Sequence, residues 1–173
     1  MHIPLQAGSN EVLKLMNRKY DLNFFYNKIK EIRSIRPNIS ITTDVLVGFP
    51  GETEEMFCQT IKTCKELELT KIHVFPFSLR KNTKAEMLPN HIPQEEKKRR
   101  ARRLLEVSKE LELAYFTKYL NKEVEVLIEE VKDGVSLGHT DNYLYVKINK
   151  ELKHNTFVTV KITDIDYPYC IGH

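Results

Sequence analysis

The chain has 173 residues, 41% of them hydrophobic, which is enough to build a core and too many for a globally disordered protein. No apolar run approaches the roughly 18 residues that span a bilayer, and no basic stretch leads into an apolar one near Met1, so neither a membrane segment nor a secretory signal is expected and the location expected is cytoplasmic. The net charge is +3, but residues 1–120 carry +6 and residues 121–173 carry −3, so the positive excess lies outside the tail.

Residues 2–6 read as a short extended run with Pro4 inside it, suited to an edge strand or the end of one. Leu22, Phe25, Ile29, Ile32 and Ile35 recur at helical spacing, and Pro37 stops that helix. A β-branched strand over 39–47 follows, with Asp44 as its acidic residue. A carboxylate in a buried strand needs a partner, because burying an uncompensated charge is costly. Gly48-Phe49-Pro50-Gly51 is a tight turn between strand and helix. It lacks the Lys-Ser/Thr ending of a P-loop and the spacing of a dinucleotide fingerprint.

Thr53 is placed to cap the next helix, and Glu54 and Glu55 sit in its first turn, where the helix dipole favours negative charge. Phe57, Ile61, Cys64 and Leu67 form its apolar stripe, and residues 71–77 form the next strand. His73, between Ile72 and Val74, reads as a satisfied core histidine, although a barrel interior would place it where substrate could lie. A long helix runs from about Gln94 to about Leu120. It contains Lys97-Lys98-Arg99-Arg100-Ala101-Arg102-Arg103, which reads equally as a phosphate-attracting patch and as a solvated face beside Glu95, Glu96 and Glu106.

Strand and helix alternate to this point, which implies parallel strands with helices packed outside. From residue 122 the period becomes two. Val124, Val126 and Ile128 alternate with glutamates, Asp133-Gly134 marks a turn, and Leu144, Val146 and Ile148 alternate with Tyr143, Tyr145 and Lys147. Val158, Val160 and Ile162 repeat the pattern. A small closed barrel of the OB-like kind accommodates these strands. The expected organisation is 1–93 α/β, 94–120 a connecting helix and 121–173 an all-β barrel. Cys170 and His173 make too few ligands for a zinc site and are expected to be strand residues.

Three segments, His2-Ile3-Pro4-Leu5-Gln6-Ala7-Gly8-Ser9, Met16-Asn17-Arg18-Lys19-Tyr20 and the run from Asp44 to Glu55, together resemble the second half of the open (β/α)6 radical S-adenosylmethionine (SAM) barrel of the methylthiotransferases. Lys71-Ile72-His73-Val74-Phe75-Pro76-Phe77-Ser78, followed by Arg80-Lys81, resembles most closely the branch acting on threonylcarbamoyladenosine at position 37 of tRNA. Gly138-His139-Thr140-Asp141-Asn142-Tyr143 resembles the RNA-binding TRAM domain that ends those enzymes. Relatives usually read Arg-Lys-Gly-Thr where this chain has Arg80-Lys81-Asn82-Thr83, and Asn tolerates the left-handed conformation that Gly supplies.

The resemblance implies that Gln6, Arg18 and Asp44 bind the cofactor SAM, with Arg18 on the methionyl carboxylate and Asp44 on the ribose hydroxyls. Read as structure alone, Gln6 caps a strand end, Arg18 lies on the surface beside Lys19, and Asp44 pairs with Arg18 or another buried cation. The family also holds two 4Fe–4S clusters, one through a C-x3-C-x2-C loop and one in a separate N-terminal domain. Cys58, Cys64 and Cys170 match neither pattern, so the chain is expected to be the C-terminal part of a larger enzyme, binding no cluster itself and inactive alone.

The expected partners are the missing N-terminal half and tRNA, with dimerisation as a further expectation because a half barrel leaves a strand edge open. For RNA, Arg99, Arg100, Arg102 and Arg103 supply charge, and Tyr143, Tyr145 and Lys147 supply a stacking face that could equally be a cross-strand cluster stabilising the sheet. The alternative readings are a methylthiotransferase for isopentenyladenosine in tRNA or for a ribosomal-protein aspartate, and a non-catalytic nucleic-acid-binding module.

Overall fold

In the computed structural model, which describes residues 1–173, the chain divides within one long helix into two units, Met1–Leu111 and Glu112–His173. The first contains α1 (Asn10–Leu15), α2 (Leu22–Ile35), β1 (Thr42–Val47), α3 (Glu54–Glu66), β2 (Lys71–Pro76), a 3-10 turn at Lys84–Met87 and most of α4 (Gln94–Thr117). β1 and β2 pair in parallel with Asp44 opposite His73. The extended residues before α1 meet β1 on its other side through parallel bridges from His2 to Thr42 and from Gln6 to Val45.

Local chemistry sets the helix starts. Asp21 caps α2 by accepting from the Phe24 N–H at 2.8 Å, and Thr53 caps α3 by accepting from the Met56 N–H at 3.3 Å. Helix α1 was not expected from periodicity, because a six-residue helix shows less than two turns of pattern; Ser9 caps it. Phe25 and Ile29 of α2, Phe57 and Cys64 of α3 and Leu104 and Val107 of α4 join Val45, Val47 and Ile72 in one core. Ile35 does not, being 82% exposed in the last turn of α2.

Helices cover only one face of this sheet. Thr43, Val45, Val47 and Ile72 point into the core, whereas Thr42, Asp44 and Leu46 are half-buried and Lys71, His73 and Phe75 are exposed. Two expectations are corrected by this. Asp44 is not a buried carboxylate, because it occupies the open face with its side chain 30% exposed. His73 is on the same open face and is not a core histidine.

The outer edge of β2 is guarded. Ile72 turns away from β1, its N–H donating to Ser108 Oγ at 2.9 Å and its carbonyl accepting from the same hydroxyl at 3.3 Å. Two residues further on the same edge comes Val74, and two beyond that Pro76, which has no N–H to offer. The turn expected at Asn82 forms, with φ +62°.

The second unit holds β3 (Glu123–Lys132), β4 (Val135–Thr140), β5 (Tyr145–Ile148), β6 (Phe157–Asp166) and β7 (Tyr169–Gly172), closed into a barrel in the order β3-β4-β5-β7-β6. All neighbours are antiparallel except β5 and β7. Asp133-Gly134, with φ +52° and +80°, makes the expected hairpin turn. A register shift between Ile128 and Glu130 bends β3 against β4, and there Gly138 passes so close that a Cβ would lie 1.9 Å from the Leu127 carbonyl oxygen. Val126, Ile128, Leu144, Val146, Ile162 and Cys170 fill the interior, with Tyr115 and Phe116 from the end of α4.

Candidate functional site

Gln6 ends the first extended segment in a left-handed conformation, φ +68°, fixed by its N–H donating to the Asp44 carbonyl at 2.8 Å and its own carbonyl accepting from Leu46 N–H at 2.9 Å. Arg18 follows α1, with its N–H bonded to the Leu13 carbonyl, and its Nη2 donates to Gln6 Oε1 at 2.9 Å. The two side chains, twelve residues apart in sequence, thus meet at a cavity of about 540 Å³ lined also by Leu46, Phe49, Lys84 and Leu88. Arg18 bonds a neutral amide there, and its guanidinium is exposed.

Asp44 does not line that cavity. Its Oδ2 lies 3.3 Å from His2 Nε2, and His2 Nδ1 is 2.9 Å from Thr42 Oγ1. The His2 and His73 ring centroids are 5.7 Å apart on the same face. A pair between Asp44 and Arg18 is therefore not formed; the partner is His2, forty-two residues back but adjacent across the strands.

The turn after β1 is built into α4. Gly48 has φ +74°, and a Cβ there would lie 2.4 Å from Lys97 Cγ. Glu52, 2% exposed, accepts through Oε2 from Gly48 N–H at 2.6 Å and from Arg100 Nη1 at 2.8 Å, while Oε1 has no partner. Burial pushes the Glu52 pKa above the ordinary carboxylate value, against the lowering effect of Arg100. Arg100, 4% exposed, also donates to the Glu52 carbonyl and to Glu96 Oε1 at 2.7 Å. Lys97 lies over the Phe77 ring at 5.1 Å, and Phe77 meets Phe49 edge-on.

These contacts change the meaning of the basic run. Arg100 is enclosed in the first unit and cannot meet a phosphate. Arg99 is bonded to Glu54 and Glu96, and Arg103 to Glu54 and Cys58. The Glu96 carboxyl is held down to about 2, chiefly by Arg99 and then by Arg100. Arg102 keeps an exposed position. Helical geometry explains the split, since Lys97, Arg100, Ala101 and Leu104 share the buried stripe. That spacing was readable in sequence, but the buried acid that pairs with it is 48 residues away.

On the barrel, Tyr143 is 72% exposed in a left-handed conformation, φ +61°, held by its N–H donating to the Thr140 carbonyl at 2.9 Å and by Leu144 N–H donating to Thr140 Oγ1 at 3.1 Å. Tyr145 stacks on His139 with ring centroids 4.5 Å apart and an interplanar angle of 5°. His139 Nδ1 is 2.5 Å from Glu129 Oε2. Lys147 lies over Tyr169 at 5.8 Å and 3.9 Å from Asp166. The expected Tyr143, Tyr145 and Lys147 are therefore neighbours, joined by His139 and Tyr169, which one strand's pattern could not reveal.

The cysteines do not converge. Cys58 is exposed on α3, and Cys64 and Cys170 are buried in the cores of different units, their thiols pushed up to about 12 by burial. No three His, Cys, Asp or Glu side chains are arranged to hold a metal ion. The residues present do not fit an iron–sulfur cluster.

Among known families, residues 1–64 match the radical SAM superfamily and residues 117–172 match the TRAM domain. Over 99% of its length the chain is 38% identical to the threonylcarbamoyladenosine tRNA methylthiotransferase of Bacillus subtilis, covering 40% of that protein. The protein of the same name from Chlamydia pneumoniae is 36% identical over 99% of this chain and 41% of its own length. The tRNA-2-methylthio-N(6)-dimethylallyladenosine synthase of Endomicrobium trichonymphae is 40% identical over 82% of this chain and 34% of its own length. The chain thus spans about two fifths or less of these curated relatives. Coproporphyrinogen III oxidase (HemN) from Escherichia coli, whose structure is that of a radical SAM enzyme, aligns with a TM-score of 0.54 at 23% identity over 64% of this chain and 26% of its own, a likeness of fold.

Proposed function

Taking as premise that the chain joins a radical SAM segment to a TRAM domain and is a homologue of the tRNA methylthiotransferases, we propose that it forms the C-terminal part of an enzyme adding a methylthio group to C2 of N6-threonylcarbamoyladenosine at position 37 of tRNA. The observation that carries this reading is the continuous match, through both units, to a protein named for that activity. An N-terminal part is the partner that completes the barrel and brings the two 4Fe–4S clusters.

In this proposal the first unit holds the organic portion of SAM. Arg18 takes the methionyl carboxylate, for which a planar guanidinium is suited. Gln6 orients Arg18 through its Oε1 and keeps its amide nitrogen for the ligand. Asp44, steadied by His2, offers its second oxygen to the ribose hydroxyls. The cavity beside Gln6 and Arg18 is within the range of small-molecule sites. When bound beside a cluster, SAM supplies the radical that removes hydrogen from the substrate. The second unit contacts tRNA through Tyr143, Tyr145 and Lys147, and exposed Arg102 is the member of the basic run available to RNA.

The test is a chimera in which this chain replaces the corresponding C-terminal part of the Bacillus subtilis relative, expressed in cells lacking that activity. Methylthiolated threonylcarbamoyladenosine in digested tRNA, read by mass spectrometry, is the expected product. Methylthiolated dimethylallyladenosine in its place would move the chain to the other tRNA branch, and a folded chimera forming neither would overturn the reading.

A further inference from the structure

The strand registers set five outward-facing residues side by side around the barrel. Phe157 on β6 lies opposite Leu127 on β3, Leu127 opposite His139 on β4, and His139 opposite Tyr145 on β5. The parallel pairing of Val146 with Cys170 then sets Tyr145 beside Tyr169 on β7, with ring centroids 4.8 Å apart. Next to these along the strands, Val126, Ile128, Val146 and Cys170 are fully buried, so alternation turns the row outward.

The strands turn their rings outward, and the rings of the barrel interior, Tyr115 and Phe116, come from α4. The buried strand residues are aliphatic or small, Ser136, Thr140 and Cys170 among them, while Tyr145 and Tyr169 are half-buried on the outer side and Phe157 is 66% exposed. Tyr143 extends the row from a turn that holds it in solvent. Single exposed aromatics are ordinary, but a continuous row of them marks a contact surface.

Charge beside the row selects the kind of contact. A cleft of about 640 Å³ is lined by Leu127, His139, Tyr143 and Phe157 and by the carboxylates of Glu123, Glu125, Glu129 and Asp141. Glu129 sits on His139, and Lys147 stands at the far end of the row beside Asp166. These carboxylates repel phosphate, which both forms of RNA carry, but a duplex keeps its bases stacked inward and has nothing to offer the row in return. Unpaired bases present uncharged π-faces that stack on aromatic side chains, and their exocyclic amino groups donate to carboxylates.

We infer that the row Phe157–Leu127–His139–Tyr145–Tyr169, with Tyr143, is a stacking platform for unpaired RNA nucleotides. It rests on the tRNA reading above and names the part of the RNA that this unit grips. Lys147 meets a phosphate at one end of the run, and the remaining contacts are to bases.

Fluorescence anisotropy with the whole chain tests this, using a short unstructured oligoribonucleotide rich in A and C, a hairpin duplex of similar length, and tRNA. The unpaired RNA is expected to bind about tenfold or more tighter than the duplex. Tyr143→Ala and Phe157→Ala are each expected to weaken that binding by about fivefold or more, and Tyr143→Phe and Phe157→Tyr to retain it. Circular dichroism of each variant confirms the fold, and both sites are exposed enough for it to survive. Equal or tighter binding of the duplex, or alanine variants indistinguishable from the parent, overturns the platform. tRNA binding undiminished by either alanine overturns the platform while sparing the tRNA reading; no binding of any RNA overturns both. Capture of a lysine-rich peptide in the absence of RNA binding would assign the face to a protein and overturn the proposal.

Discussion

Replacing Arg100 by Met would leave Glu52 enclosed, with one oxygen already unpartnered and the other keeping only the Gly48 N–H. The guanidinium also bonds the Glu52 carbonyl and Glu96, so three acceptors lose a donor. Breaking a buried pair from one side costs about 3–5 kcal/mol, about a fifth or more of the roughly 5–15 kcal/mol by which domains are stable. Burial already raises the Glu52 pKa in the folded chain, so its ionised form is less favourable there than in the unfolded chain, and this penalty grows as pH rises from the ordinary carboxylate value through the folded one. Removing Arg100 takes away the main lowering influence and raises that pKa further. Urea denaturation followed by circular dichroism should therefore show a larger loss for Arg100→Met at pH 8 than at pH 5. Arg100→Met combined with Glu52→Gln should be more stable than Arg100→Met alone at pH 8, because the stranded charge is gone. A loss under about 1 kcal/mol, equal losses at the two pH values, or simple additivity in the double variant would refute this reasoning.

Gly138→Ala should destabilise the second unit by about 1–3 kcal/mol or more, since its Cβ meets the Leu127 carbonyl and backbone must shift; thermal denaturation of the variant reads this. Iodoacetamide at pH 8 should modify Cys58 rapidly and leave Cys64 and Cys170 unmodified until urea is added, because both buried thiols are pushed up to about 12; peptide mass spectrometry locates the label. SAM should bind this chain weakly, and Arg18→Lys should weaken it by a further factor of about ten by keeping the charge but losing the fork; isothermal titration calorimetry reads both.

Periodicity made α2, α3, β1 and β2 legible, and Thr53 and Asp133-Gly134 marked a cap and a turn that form as expected. Which face of β1 and β2 the helices cover was not legible. A barrel with helices outside has one bare face, but which side chains lie on it needs the strand pairing, and Asp44 and His73, both read as buried, turn out to be there. Arg100 looked like its neighbours because the buried acid it serves belongs to a distant turn. The aromatic row escaped for a related reason. It runs across strands, and register is a property of pairing that no single strand carries.

Ser108 and Pro76 together have a consequence for how this sheet can grow. With Ile72 occupied by a hydroxyl and Pro76 lacking a donor, Val74 is left as the one residue on that margin able to exchange a full pair of backbone bonds with a newcomer. One hydrogen-bonded residue does not nucleate a strand. β2 therefore acts as a stop at this margin against addition of backbone, from another part of a longer polypeptide or from a second copy. One serine hydroxyl and one proline ring thus set where this sheet ends.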